Sequence, residues 1–132
     1  MKYFTLNELT RSDTASRMKI DNTPTAEAVK NLTALVDKVL DPLREKIGEP
    51  IIVTSGYRSP RLNKAVGGVA NSQHLTGQAA DISFKDKSRN KILFETIIKM
   101  NLPFDQLIDE YGLKWIHCSY SPRNRRQIIY KK

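Results

Sequence analysis

A single cysteine, Cys118, in 132 residues excludes an intrachain disulfide, so no bridge framework holds this chain together. Long apolar runs are missing too. None approaches the ~20 residues that a membrane-spanning helix needs, and the amino-terminal MKYFTLNELTRSDTAS lacks the unbroken apolar segment of a secretory signal. The expectation is a chain that is cytoplasmic as synthesised, with no membrane partner. Its six glycines and six prolines form no linker, and no stretch repeats or falls into low complexity. Residues 1–132 are therefore expected to form one domain. Histidine is nearly as scarce as cysteine: His74 and His117 are the whole supply.

Positive charge is what the chain has in excess. Lys and Arg number 22 against 14 Asp and Glu, a formal net charge of +8, which suits a polyanionic partner. Most of it is local. Residues 123–132 (RNRRQIIYKK) hold five basic residues and no acid, leaving 17 against 14 in the rest. This basic tail is expected to lie outside the histidine-bearing segments, touching an anionic wall polymer or keeping an edge strand solvated. Nucleic acid is the weakest reading, because no stripe of interleaved basic and aromatic residues occurs. With 39% apolar and 27% charged residues, the chain can bury a single core.

Apolar periodicity divides the chain into helices first and strands afterwards. Thr5 followed by Glu8 reads as a capping box on a short first helix, and the polar residues 11–22 as a surface wrapping. Thr23-Pro24 predicts the start of a long helix. Val29, Leu32, Val36, Val39, Leu43 and Ile47 place one apolar stripe on it; Pro42 predicts a kink or break near Asp41, and Gly48 the end. Strands are predicted over 51–54, 79–84, 106–110 and 115–120, with an edge strand around Ile128-Ile129-Tyr130. A short helix follows Ser59-Pro60 and ends at Gly67-Gly68. Ser88 is expected to cap a helix burying Leu93, Phe94, Ile97 and Ile98. The order predicts an α+β domain with helices packed on one side of a mostly antiparallel sheet.

Chemistry concentrates around the two histidines. His74 lies in Ser72-Gln73-His74-Leu75-Thr76-Gly77, ahead of Asp81, a carboxylate at the start of an apolar strand segment and costly there unless partnered. Alternation turns Trp115, His117 and Ser119 to one face of their strand and Ile116, Cys118 and Tyr120 to the other. Two imidazoles and one carboxylate suit a three-ligand zinc site with a fourth position open to water; hydrogen-bonded structural histidines and a turn-capping Asp81 are the plainer alternative. Glu110 shares a face with Gln106 and Ile108, and is the first choice for a general base, with Asp109 second. Cys118, turned away, reads as a core thiol.

Three segments carry a resemblance: Ser55-Gly56-Tyr57-Arg58-Ser59-Pro60, then Asn71-Ser72-Gln73-His74-Leu75-Thr76-Gly77 with Ala80-Asp81, then Trp115-Ile116-His117-Cys118-Ser119. Together they resemble the zinc D-Ala-D-Ala carboxypeptidase family of peptidoglycan metallopeptidases, which includes phage endolysins and shares its fold with the amino-terminal signalling domain of hedgehog proteins. Residues 4–44 also look like the small, phage-associated branch of that family. The resemblance implies zinc on His74, Asp81 and His117, Arg58 at the substrate carbonyl or carboxylate, and Glu110, more loosely, as the acidic residue. It implies peptide-bond hydrolysis in peptidoglycan by a metal-activated water, at the cell wall after release. Ser72, Gln73 and Ser119 would line the substrate cleft or serve as loop hydrogen-bonders. Trp115, standing where some relatives carry a histidine, would be a substrate platform or a core aromatic. The alternative on the same fold is a non-catalytic zinc-binding module that holds a wall component or a protein.

Overall fold

The computed structural model describes residues 1–132. Four helices, α1 (Leu6–Thr10), α2 (Asp13–Met18), α3 (Ala26–Leu35) and α4 (Asp41–Ile47), precede the first strand. Two more, α5 (Pro60–Ala65) and α6 (Asn90–Lys99), are interleaved with strands β1 (Ile52–Ser55), β2 (Ala79–Ser83), β3 (Gln106–Glu110), β4 (Trp115–Ser119) and β5 (Gln127–Lys131). The sheet order is β1-β2-β4-β3-β5. Every neighbouring pair is antiparallel except β3 and β5. The fold is α+β, as the order of apolar periods predicts. No helix is long and apolar enough to cross a membrane.

Most helix boundaries follow from local chemistry, with four corrections. Thr5 and Glu8 form the expected capping box around α1. Residues 11–22 do not merely wrap the surface. Ser12 caps α2 by accepting from Ala15 N, and Ala15 and Ile20 bury a small apolar cluster with Leu62 of α5. Two apolar residues among many polar ones leave too weak a period to read. The long helix starts at Thr25, which accepts from Ala28 N; Thr23 instead donates its hydroxyl to Asp21 at 2.6 Å.

Pro42 does not break that helix. The backbone widens into a π turn over Val36–Leu40, with Asp41 N donating to Val36 O. Pro42 then falls in the first turn of α4, where its missing N–H costs least. Leu32, Leu35, Val36, Val39, Leu40 and Leu43 are fully buried along the way, while Val29 and Ile47 are only half-buried. Gly48 closes the helix at φ +75°. Finally, Asp86, not Ser88, opens the approach to α6. Its carboxylate accepts from Ser88 N and Oγ and starts a 3-10 turn over Lys87–Arg89.

Strand alternation separates two faces of one sheet. Ala80 and Ile82 of β2, Leu107 of β3, and Ile116 and Cys118 of β4 join residues of α1, α3, α4 and α6 in a 23-residue core. Each buried aliphatic side chain there stabilises the fold by ~1.5–3 kcal/mol. α5 packs outside this core. On the opposite face, His117 stands directly across from Asp81 on one neighbour and Ile108 on the other, and Glu110 pairs with Trp115. Helices hold one side of the sheet. The other side is free to gather polar groups.

Candidate metal centre

His74, Asp81 and His117 reach one point from two strands and a turn. His74 sits in a 3-10 turn (Gln73–Thr76) that Ser72 caps, its Oγ accepting from His74 N at 3.1 Å. Gly77 ends the turn at φ +76°, and a Cβ there would run into the Ala28 carbonyl oxygen of α3. A larger residue would push the turn off the helix and His74 out of place. The three residues are 3%, 6% and 9% exposed, respectively. One donor atom from each lies within 4.8 Å of the others.

The hydrogen-bond partners decide what the group can hold. His74 Nδ1 lies 2.7 Å from Gly56 O. A carbonyl only accepts, so Nδ1 carries the proton and neutral His74 presents a bare lone pair at Nε2. That lone pair faces Asp81 Oδ1 at 3.3 Å, acceptor against acceptor. His117 Nδ1 meets the same oxygen at 3.1 Å. Only a proton or a cation between Nε2 and Oδ1 relieves this opposition. Two imidazole nitrogens and a carboxylate oxygen in a buried, three-sided set are zinc's preferred donors. Gly56 O is then the outer partner that fixes the tautomer of His74. Gly56 itself is constrained: a Cβ would collide with the Leu9 carbonyl oxygen of α1, which accepts from Tyr57 N at 2.7 Å.

Burial alone would raise the Asp81 carboxyl; with protons on both imidazoles in place of a bound cation, the charge of His74 and the hydrogen bonds of both histidines outweigh it and hold the carboxyl well below the usual range. Arg58 Nη2 stands 3.5 Å from Asp81 Oδ2. Its guanidinium is held in place by Ser55 Oγ, which accepts from Nε at 3.1 Å, and Asn63 Oδ1, which accepts from Nη1 at 3.3 Å. Burial lowers the Arg58 pKa, while the Asp81 and Glu110 charges oppose the loss.

A cleft of about 610 Å³ opens over the group, and Arg58, Glu110, Trp115, Ser72 and Gln73 line it. Glu110 is buried at the end of β3, on the His117 face as alternation predicts. Asp109 is on the other face and spends its carboxylate on Leu113 N at 2.7 Å, closing the turn into β4. Trp115 packs its ring on Tyr111, centroids 5.5 Å apart. Ser119 does not line the cleft; it is fully buried and its Oγ accepts from Gln106 N at 2.9 Å. Cys118 is in the core, and burial pushes its thiol up to about 12. A separate hollow of about 410 Å³ beside α2 and β1 contains neither His nor Cys.

Three residues of this neighbourhood escape sequence reasoning. Asn63 steadies Arg58, and Asn22 ties the α5 cap to the preceding loop through Ser59 N and Tyr57 O; a lone Asn carries no legible signal. Asp105 is the third. It is 0% exposed and receives the Arg125 side chain and Gln73 Nε2. The basic tail also departs from expectation, since Arg123, Arg125 and Lys131 line the cleft instead of standing apart from it.

A cleft over a buried His-Asp-His set, on the open face of a helix-backed sheet, defines a metallohydrolase type of centre. A sequence model of the family described as Peptidase M15 matches residues 2–119, and the chain belongs to that family. It is also similar to the zinc D-Ala-D-Ala carboxypeptidase of Streptomyces albus G, with 46% identity over 44 residues. That stretch is 33% of this chain and spans 17% of the relative. The chain is thus a Peptidase M15 family member whose buried His74, Asp81 and His117 could hold a zinc ion.

Proposed function

We propose that the chain hydrolyses peptide bonds in peptidoglycan peptides, as a D-Ala-D-Ala carboxypeptidase or an endolysin-type endopeptidase. The observation that carries this reading is the convergence of His74, Asp81 and His117 within 4.8 Å beneath a cleft that also holds Glu110 and Arg58. The name of the similar Streptomyces albus G protein supplies the substrate class.

His74 Nε2, His117 Nδ1 and Asp81 Oδ1 would hold the zinc. Bound zinc supplies Lewis acidity and brings a water's pKa from ~15.7 toward 7. The rest is done by the chain's own groups. Glu110 takes the proton of the attacking water on a carboxylate oxygen and returns it to the leaving amine. Arg58, held by Ser55 and Asn63, offers a fixed guanidinium to the oxygen on which charge develops. The Tyr111–Trp115 pair lines the cleft beside Glu110.

Mass spectrometry of purified muropeptides after incubation with zinc-loaded protein tests the proposal. Loss of a terminal residue identifies a carboxypeptidase, and cleavage of a cross-link an endopeptidase. Zinc at about one per chain with no product from any muropeptide overturns the catalytic reading and selects the non-catalytic binding module.

A further inference from the structure

Residues 120–132 lie beyond the stretch that matches the family, yet they are built into the cleft. The connection from β4 to β5 passes across the end of β3, because β5 joins the far edge of β3 in parallel. Asp105 fastens the crossing. Its carboxylate accepts from Arg125 N at 2.9 Å, Nε at 3.0 Å and Nη2 at 2.9 Å, and from Gln73 Nε2 at 2.9 Å. Its backbone carbonyl accepts from Gln127 N at 3.0 Å. One buried acid thus joins the C-terminal segment to the turn that carries His74.

Two further cations stand on this wall. The fork of Arg125 already neutralises Asp105, and a second guanidinium, Arg123, stands 3.6 Å from the same carboxylate with its side chain 61% exposed. At the other end of β5, the half-exposed Lys131 ammonium is 3.9 Å from Glu110 Oε2. Arg58 follows β1 and these groups accompany β5, so the two cationic rims lie on opposite edges of the sheet with the His-Asp-His group between them. Gln73 adds a polar atom to the same wall: its Oε1 is buried and unpartnered.

Resting on the peptidase reading, we infer that Arg123 and Lys131, on a wall anchored through Asp105 and Arg125, form a carboxylate-reading subsite that selects acidic peptides. The carboxylate is one other than the group that meets Arg58, and it lies toward the β5 edge. Guanidinium and ammonium groups held at the side of a half-enclosed cleft recognise a peptide carboxylate in place. A long polyanion would instead call for an open basic stripe, whereas these charges turn into the cleft.

The test uses two peptides ending in D-Ala-D-Ala, identical except that one upstream carboxylate is replaced by a carboxamide. Binding is measured calorimetrically on the zinc-loaded Glu110→Gln protein, and cleavage on the unmutated zinc-loaded protein. The acidic peptide is expected to bind about five- to tenfold more tightly. Arg123→Gln with Lys131→Gln removes that preference, Arg123→Lys keeps part of it, and the charge-matched surface control Arg17→Gln with Lys99→Gln keeps it all. Zinc content and melting temperature establish that each variant is folded. Equal binding of the two peptides, or a preference that survives Arg123→Gln with Lys131→Gln, overturns the subsite. So does loss of poly(glycerol phosphate) binding alone in that variant. A preference found and then lost in protein that cleaves neither peptide leaves the subsite standing and removes only the peptidase reading.

Discussion

Two aspartates are buried beside the same cleft, and their surroundings make them different objects. Asp105 is saturated: Arg125 matches its charge, and Gln73 and a backbone N–H occupy its remaining lone pairs. Asp81 faces two imidazole nitrogens and an arginine at 3.5 Å, and at least one of those nitrogens presents a lone pair. Both carboxyls lie below the usual range. For Asp105 the leading cause is the Arg125 hydrogen bond; for Asp81 the imidazoles prevail over burial. A buried acid with every partner present is an anchor. One whose partners are themselves donors to a cation is a ligand in waiting.

The largest test of that contrast is zinc affinity. His117→Ala should weaken binding by more than the ~10–100-fold that loss of an outer partner costs, and abolish peptide release. Asp105→Asn should leave one zinc per chain. Competition with a chromophoric chelator measures both, and equal losses would erase the distinction. Next comes Glu110→Gln, expected to keep zinc and lower product formation by about 10²–10⁴, read from single-turnover assays; full activity would pass the role elsewhere.

Stability comes third. Asp105→Asn keeps the shape but removes the charge that receives Arg125, at a cost of about 1.5–3 kcal/mol by urea unfolding. The pH dependence follows from the sign of the shift. A carboxyl lowered in the folded state contributes stability that is complete above its unfolded value of about 3.9 and is lost as pH falls through the lower folded value. Melting of the zinc-free protein should therefore decline below about pH 4, and Asp105→Asn should flatten that decline without abolishing it, because Asp81 contributes in the same direction. The smallest effect is at Cys118. With its thiol pushed up to about 12 in the core, it should resist alkylation at pH 8 until the protein unfolds; rapid labelling of the native form would place it outside the core.

The donor set was legible because its chemistry is rare. Only two histidines are present, one ahead of an out-of-place aspartate and the other in an apolar strand; alternation turned Cys118 away from His117, and the β3–β4 register then put Glu110 on the His117 face. Asp109 and Glu110 were separable by the same parity, which the Leu113 hydrogen bond now accounts for. The long-helix stripe was readable too, although Pro42 pointed to a break where a π turn carries the helix onward. Helix α2 stayed hidden because its burial depends on Leu62, about 45 residues away in the chain. Ser119 was misdirected for a related reason: strand parity names a face, but a backbone N–H of β3 had already taken its hydroxyl.

Periodicity, then, determined the α+β class, and scarcity offered His74, Asp81 and His117 as candidate donors that the family resemblance joined into one set, because alternation and donor chemistry are local properties of the chain. Tertiary structure alone decided where the positive charge goes. Five basic residues at the end of the chain read as a detached tail, and an unremarkable Asp105 turns three of that segment's charges into the cleft by drawing the β4–β5 connection across β3. That placement depends on a parallel edge pairing and on one ion pair between buried Asp105 and exposed Arg125, 20 residues apart. Such long-range partners leave no period in the sequence.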